Sequence, residues 1–70
     1  MSIPIPVESS LLSSVAYADD GTLRLQFRSG AIYHYLAVPR VVFESLLAAQ
    51  SKGEYFNRAI RDHFQHQRLA

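Results

Sequence analysis

Leu23, Leu25 and Phe27 alternate without a break with Thr22, Arg24, Gln26 and Arg28. Period-two alternation gives a strand with one dry face and one wet face. Two tripeptides bound the run, Asp19-Asp20-Gly21 before it and Arg28-Ser29-Gly30 after it, each with glycine in third place. A three-residue hairpin loop puts its last residue in the left-handed region, where glycine carries no Cβ penalty. Both tripeptides therefore read as hairpin loops, and the segment as the middle of a three-stranded antiparallel meander.

Loop length sets register, and register sets the face on which each ring lies. With three-residue loops, Tyr17 faces Leu23 and Val15 faces Leu25 across the first hairpin. Across the second, Phe27 faces Ala31, Leu25 faces Tyr33 and Leu23 faces Tyr35. These residues then share the core face. Arg24, Gln26, Ile32, His34 and Leu36 occupy the other face. A two-residue loop in place of either would flip its flanking strand.

Val38 precedes Pro39, which holds Val38 extended. Proline suits the first position of a helix, where its missing N–H costs nothing. A helix is expected from Pro39 to about Gln50, with Val42, Leu46 and Ala49 at helical spacing and Phe43 and Leu47 widening the stripe. Ser51-Lys52-Gly53 ends it, with Gly53 suited to the stop. A second helix is expected from about Glu54 to Gln65. Phe56, Ile60 and Phe64 turn to the sheet, and Arg58, Arg61 and Asp62 to solvent. Residues 1–8 hold two of the three prolines and read as a flexible arm. Residues 9–66 form a single domain, and residues 67–70 a frayed end.

The chain has 70 residues, 49% hydrophobic and 19% charged, which is the composition of one small globular domain and not of a disordered chain. A domain of this size has a marginal core and gains from a partner. It has no cysteine, which excludes disulfides and thiolate-bound zinc. No stretch approaches the ~20 apolar residues of a membrane span, and the N-terminus lacks the pattern of a signal peptide. A cytoplasmic protein without membrane attachment is expected. The net charge of +1 is far below that of a dedicated double-helix binder. The positive charge gathers late in the chain, with Lys52, Arg58, Arg61 and Arg68 set against Glu54 and Asp62.

These elements resemble the KTSC domain, found alone in small bacterial proteins and at the C-terminus of some lysyl-tRNA synthetases. The resemblance rests on Ser13-Ser14-Val15-Ala16-Tyr17, Leu23 to Phe27, Gly30, Tyr33-His34-Tyr35, Val38-Pro39, Phe43-Glu44-Ser45-Leu46-Leu47, Ser51-Lys52-Gly53-Glu54-Tyr55-Phe56-Asn57 and Ile60. It covers residues 9–64 in order and spacing. Tyr33, Tyr35, Pro39, Gly53, Tyr55, Phe56 and Asn57 carry the family motif. The resemblance implies an RNA-binding role, through the synthetase fusions, and brings no catalytic residues.

Several groups admit a functional and a structural reading. Tyr33 and Tyr35 can stack on bases or fill the core, and the register favours the core. Arg24, Arg28 and His34 can bind phosphate across the sheet or form a solvated face. Ile32 and Leu36 on that face suit a homodimer contact. Lys52, Asn57, Arg58 and Arg61 gather around the start of helix two, where free N–H groups suit a phosphate. Asn57 can equally serve as a cap. His63 and His66 are three apart with no third ligand in evidence, so no metal and no cofactor are expected. Ser45 and Ser51 have no evident histidine partner, Glu44 and Glu54 form no convincing acid–base pair, and there is no glycine-rich phosphate loop. The expectation is therefore a non-catalytic binding module. Its partner is RNA or another anion, contacted through Lys52, Asn57, Arg58 and Arg61 with Arg24 and Arg28. The alternative is a protein-interaction or homodimerisation module that uses the open sheet face.

Overall fold

Both glycine turns form as the tripeptides require. Gly21 and Gly30 have φ of 90° and 97°. The Gly21 N–H donates to the Ala18 carbonyl and the Gly30 N–H to the Phe27 carbonyl, each at 3.0 Å. The Ala18 N–H closes on Thr22 at 2.9 Å, and the Phe27 N–H on Ala31 at 2.8 Å. Asp20 braces the first turn, its carboxylate accepting from the Thr22 N–H at 2.9 Å. That bond holds the Asp20 carboxyl below the usual aspartate value.

The computed structural model describes residues 3–70. Its strands are β1 (Ile5–Pro6), β2 (Leu12–Tyr17), β3 (Leu23–Phe27), β4 (Ile32–Tyr35) and β5 (His66–Arg68). They form one antiparallel sheet in the order β1-β2-β3-β4-β5. Every core-face pair expected from the loop lengths is present. Tyr17 lies opposite Leu23, Val15 opposite Leu25, Leu25 opposite Tyr33 and Leu23 opposite Tyr35.

The fold is α+β, but the three expected strands number five. The expected arm lies partly outside the described residues, at Met1 and Ser2, and its remainder supplies β1. Prolines at 4 and 6 leave few N–H donors, so only a short pairing forms (Ile5 with Val15, Pro6 with Ser14). β5 comes from the segment expected to end the second helix and fray. Its residues are all exposed, so no dry face marks it in the sequence.

A bulge separates the Leu12 and Ser14 pairings in β2. The Ser13 hydroxyl bonds to the Gln26 carbonyl at 3.2 Å, and the Ser14 hydroxyl to the Gln26 side chain at 3.4 Å. The extra residue returns Leu12 to the core face, where it is fully buried.

Two helices cover the face that carries the leucines and tyrosines. Helix α1 (Arg40–Ala48) starts after Pro39 and buries Phe43 and Leu46. Tyr17 stacks on Phe43 with ring centroids 5.0 Å apart, and its hydroxyl donates to the Val38 carbonyl at 2.5 Å. Helix α2 (Lys52–Tyr55) has Ser51 as its cap, the side chain accepting from the Glu54 N–H at 3.3 Å. It passes into a π-helical turn, Phe56–Ile60, in which the Arg61 N–H reaches the Phe56 carbonyl at 2.9 Å.

The second helix therefore starts two residues early and ends short of Gln65. Gly53 is not a stop signal. It lies inside α2, where a Cβ would sit 3.3 Å from the Leu11 Cβ, so its smallness serves a close approach. The core is Leu12, Val15, Leu23, Leu25, Tyr35, Val38, Phe43, Leu46, Phe56 and Ile60. Each aliphatic side chain fully buried there contributes roughly 1.5–3 kcal/mol.

Candidate functional site

The π-helical turn faces the β4–β5 edge across an open cleft of about 610 Å³. A helical turn widened by one residue brings residues four and five apart onto one side. Phe56 and Ile60 enter the core, while Asn57, Arg61 and Asp62 line the cleft. On the opposite wall, the antiparallel register sets Tyr33 opposite Arg68 and Tyr35 opposite His66. All four side chains border the cleft.

Its wall is a stack of planar groups. The Arg68 guanidinium lies over the Tyr33 ring at 5.8 Å. The rings of Tyr33 and Tyr35 stack at 6.2 Å. His66 lies 5.6 Å from Tyr33 and 5.0 Å from Tyr35. Phe27 meets Tyr33 edge-on at 5.6 Å and Phe56 at 5.3 Å, closing the inner end. Such edge and offset contacts hold rings in place beyond their area burial.

Tyr35 resolves the two readings of the tyrosines. Its residue exposure is only 3%, so the ring is core, as the register requires. Its hydroxyl makes no hydrogen bond among the described residues, yet it is not a sealed, unpaired group. It therefore opens into the cleft. Burial first, then the neighbouring Tyr33, raises the Tyr35 phenol above the ordinary tyrosine value. Spectrophotometric titration at alkaline pH should show a phenol phase above the ordinary tyrosine value, a phase absent in Tyr35→Phe. The sign follows from linkage. The folded state favours the neutral phenol, so this contribution is complete below the ordinary value and is lost as pH rises through the raised one. A Tyr35→Phe protein that keeps the late phase would refute the assignment.

The structure distributes the remaining expected contact residues over several faces. Asn57 and Arg61 meet in the cleft. The Lys52 ammonium donates to the Ala49 carbonyl at 2.9 Å, at the end of α1. Arg58 lies over Tyr55 at 5.7 Å. The Arg28 Nε bonds to the Ser9 carbonyl. Arg24 pairs with His34 on the open sheet face. The start of α2 is thus engaged by its own cap and lysine, and the basic residues do not form one cluster. Ile32 and Leu36, expected as exposed apolar residues, are half-buried. Of the motif residues, Tyr33, Tyr35, Phe56 and Asn57 line the cleft, whereas Pro39 caps α1, Gly53 meets Leu11 and Tyr55 packs on the core.

Two cleft residues escape the sequence reading, His66 and Arg68. The available signal is their spacing by two, which places both on one side of a strand, but only pairing with β4 makes that segment a strand. His63 and His66 do not share a helix. His63 sits in the turn beyond Ile60, its Nε2 3.0 Å from the Arg58 carbonyl. Among the described residues, the one side-chain ion pair is Arg40 with Glu44 at 3.3 Å; the Arg68 Nε donates to the Ala70 oxygen at 2.9 Å, and Arg61 pairs with no carboxylate side chain.

A curled antiparallel meander covered on one face by a helical pair defines a small α+β domain class. The KTSC domain model matches residues 8–64, and the chain belongs to that family. The fold matches the crystal structure of a KTSC domain protein from Yersinia pestis, with a TM-score of 0.96 and 32% identity over the full length of both chains. A protein from Tsukamurella paurometabola is 42% identical over 60 residues, 84% of this chain and 90% of that one. A lysine–tRNA ligase from a Nostoc species is 47% identical over 49 residues, 70% of this chain but only 9% of the ligase. The chain is thus similar to a small part of that enzyme. Among the described residues no helix is long and apolar enough to cross a membrane.

Proposed function

We propose that this chain is a small, non-catalytic module that binds single-stranded nucleic acid, RNA in the first place, through the cleft between β5 and the π-helical turn. One observation carries the reading. Two exposed arginines, neither paired with a carboxylate side chain, flank a wall of stacked rings in an open groove, with Arg68 steadied by its Nε bond to the Ala70 oxygen. Aromatic and guanidinium planes accept bases of any sequence, and the charges follow the backbone. The likeness to a segment of a lysine–tRNA ligase supports the same direction, since that relative carries tRNA in its name. Bacterial cytoplasm is the proposed setting.

A binding role without catalysis fits the polar contacts. The Ser51 hydroxyl caps α2 and His63 faces a backbone carbonyl.

The test is a titration of the labelled protein with a short single-stranded RNA at low and then moderate salt. Amide shifts should concentrate at Tyr33, Asn57, Arg61, His66 and Arg68. Affinity should fall with salt, at a log–log slope of about −0.7 for each phosphate engaged. A spectrum that stays unmoved by RNA at low salt refutes the proposal.

A further inference from the structure

The cleft is not uniformly basic, and that narrows its ligand. Asp62 lines it next to Arg61, in the turn that follows the π-helical segment carrying Asn57. A carboxylate at this place disfavours a bare phosphate, because like charges repel at close range. It favours a ligand that brings an anion and hydroxyl donors together. The opposite wall is planar and aromatic, with Tyr33, His66 and the Arg68 guanidinium in contact. The unpartnered Tyr35 hydroxyl at the floor adds a donor that suits an anionic oxygen. Three chemistries therefore converge: a cation for phosphate, a carboxylate for vicinal hydroxyls and a planar wall for a ring.

From this juxtaposition we infer that the cleft seats one ribonucleotide unit. Arg61 and the Tyr35 hydroxyl take the phosphate, Asp62 accepts from the ribose hydroxyls, and the base packs against Tyr33, His66 and Arg68. This rests on the nucleic-acid reading above and adds to it a preference for ribose over deoxyribose. A carboxylate that accepts from the ribose 2′-hydroxyl discriminates in this way. The ligand source is either a free nucleotide or one unit of an RNA strand, since both present the same chemistry.

Titrations with AMP, dAMP, adenosine and an oligoadenylate hexamer, followed by amide shifts, separate the outcomes. AMP should bind saturably at Tyr33, Asn57, Arg61 and Arg68. It should bind at least about fivefold more tightly than dAMP, the factor expected of one hydrogen bond. Adenosine should bind about tenfold or more weakly than AMP, as expected of a ligand without the charged phosphate. Asp62→Ala, which leaves no side-chain acceptor, should remove the preference for AMP over dAMP while leaving dAMP binding in place. Asp62 is exposed, so the variant keeps its fold. That is checked by an unchanged unfolding midpoint. A hexamer that binds more tightly than AMP points to RNA as the source, and equal affinities point to the free nucleotide. Either result supports the seat. Equal affinity for AMP and dAMP, or for AMP and adenosine, overturns it. If the hexamer instead shifts the cleft residues while AMP and dAMP bind equally, the seat fails and the nucleic-acid reading of the cleft survives. If no ligand shifts any resonance, both fail.

Discussion

Replacing Arg61 and Arg68 together with alanine is expected to weaken single-stranded RNA binding by about 30- to 100-fold, with little change in stability. Both side chains are exposed, and neither pairs with a carboxylate side chain among the described residues. Each contributes about 1–1.5 kcal/mol of charge-assisted hydrogen bonding or base stacking at such a position, and every 1.4 kcal/mol is tenfold. The two act from opposite walls, Arg61 from the π-helical turn and Arg68 from β5. The salt dependence should flatten by about 0.7 for every phosphate that the variant no longer engages. Replacing Arg58 and Arg24 together removes the same formal charge. Arg58 lies over Tyr55 and Arg24 on the open sheet face, so this control should cost only the small screened effect of net charge. Comparable losses from the two double variants would mean that binding follows overall charge and that the cleft has no special role.

Much of this molecule can be read from its residues, and the parts that cannot share a physical cause. The alternation around Leu25 and the glycines at 21 and 30 determine β2, β3 and β4 because they are local signals. Each concerns one loop or one strand, and the register follows from counting. The proline at 39 and the stripe of α1 are local in the same sense. β5 is different. Gln65 to Arg68 has no dry face, and it is extended only because β4 offers it an edge far away in sequence. The π-helical turn is also a tertiary product. Phe56 and Ile60, four apart, suit an ordinary helix as well as a widened one. Gly53 illustrates the limit of residue signals, since a glycine that admits Leu11 looks the same in sequence as one that stops a helix. The candidate site inherits this division. Asn57, Arg61, Tyr33 and Tyr35 stand out from the sequence, but the wall that unites them is completed by His66 and Arg68.

Leu25→Ala should be the most damaging single core change that leaves the turns intact. Leu25 lies in the middle of the central strand, fully buried, opposite Val15 and Tyr33. It belongs to the same cluster as Leu46, Phe56 and Ile60, so the truncation opens a cavity where sheet and helices meet. Such losses cost about 2–5 kcal/mol. A 70-residue domain has a stability of roughly 4–10 kcal/mol in all, so about half of it would go. In a domain of this size each kcal/mol is worth about 4–8 °C, which puts the expected drop in midpoint at roughly 10–25 °C. Val41→Ala is the matched control. Val41 is 63% exposed on α1, and its truncation should stay within about 0.5 kcal/mol. The pair of variants also probes the cleft, because Tyr33 is the cross-strand neighbour of Leu25 and forms the cleft wall. A cavity beneath Tyr33 should blunt ligand-induced shifts at Tyr33 and Arg68 well below the unfolding midpoint, whereas Val41→Ala should leave them unchanged. Similar midpoints for the two variants would mean that the helices do not cover this face of β3, and the cleft would lose the support that holds its rings in place.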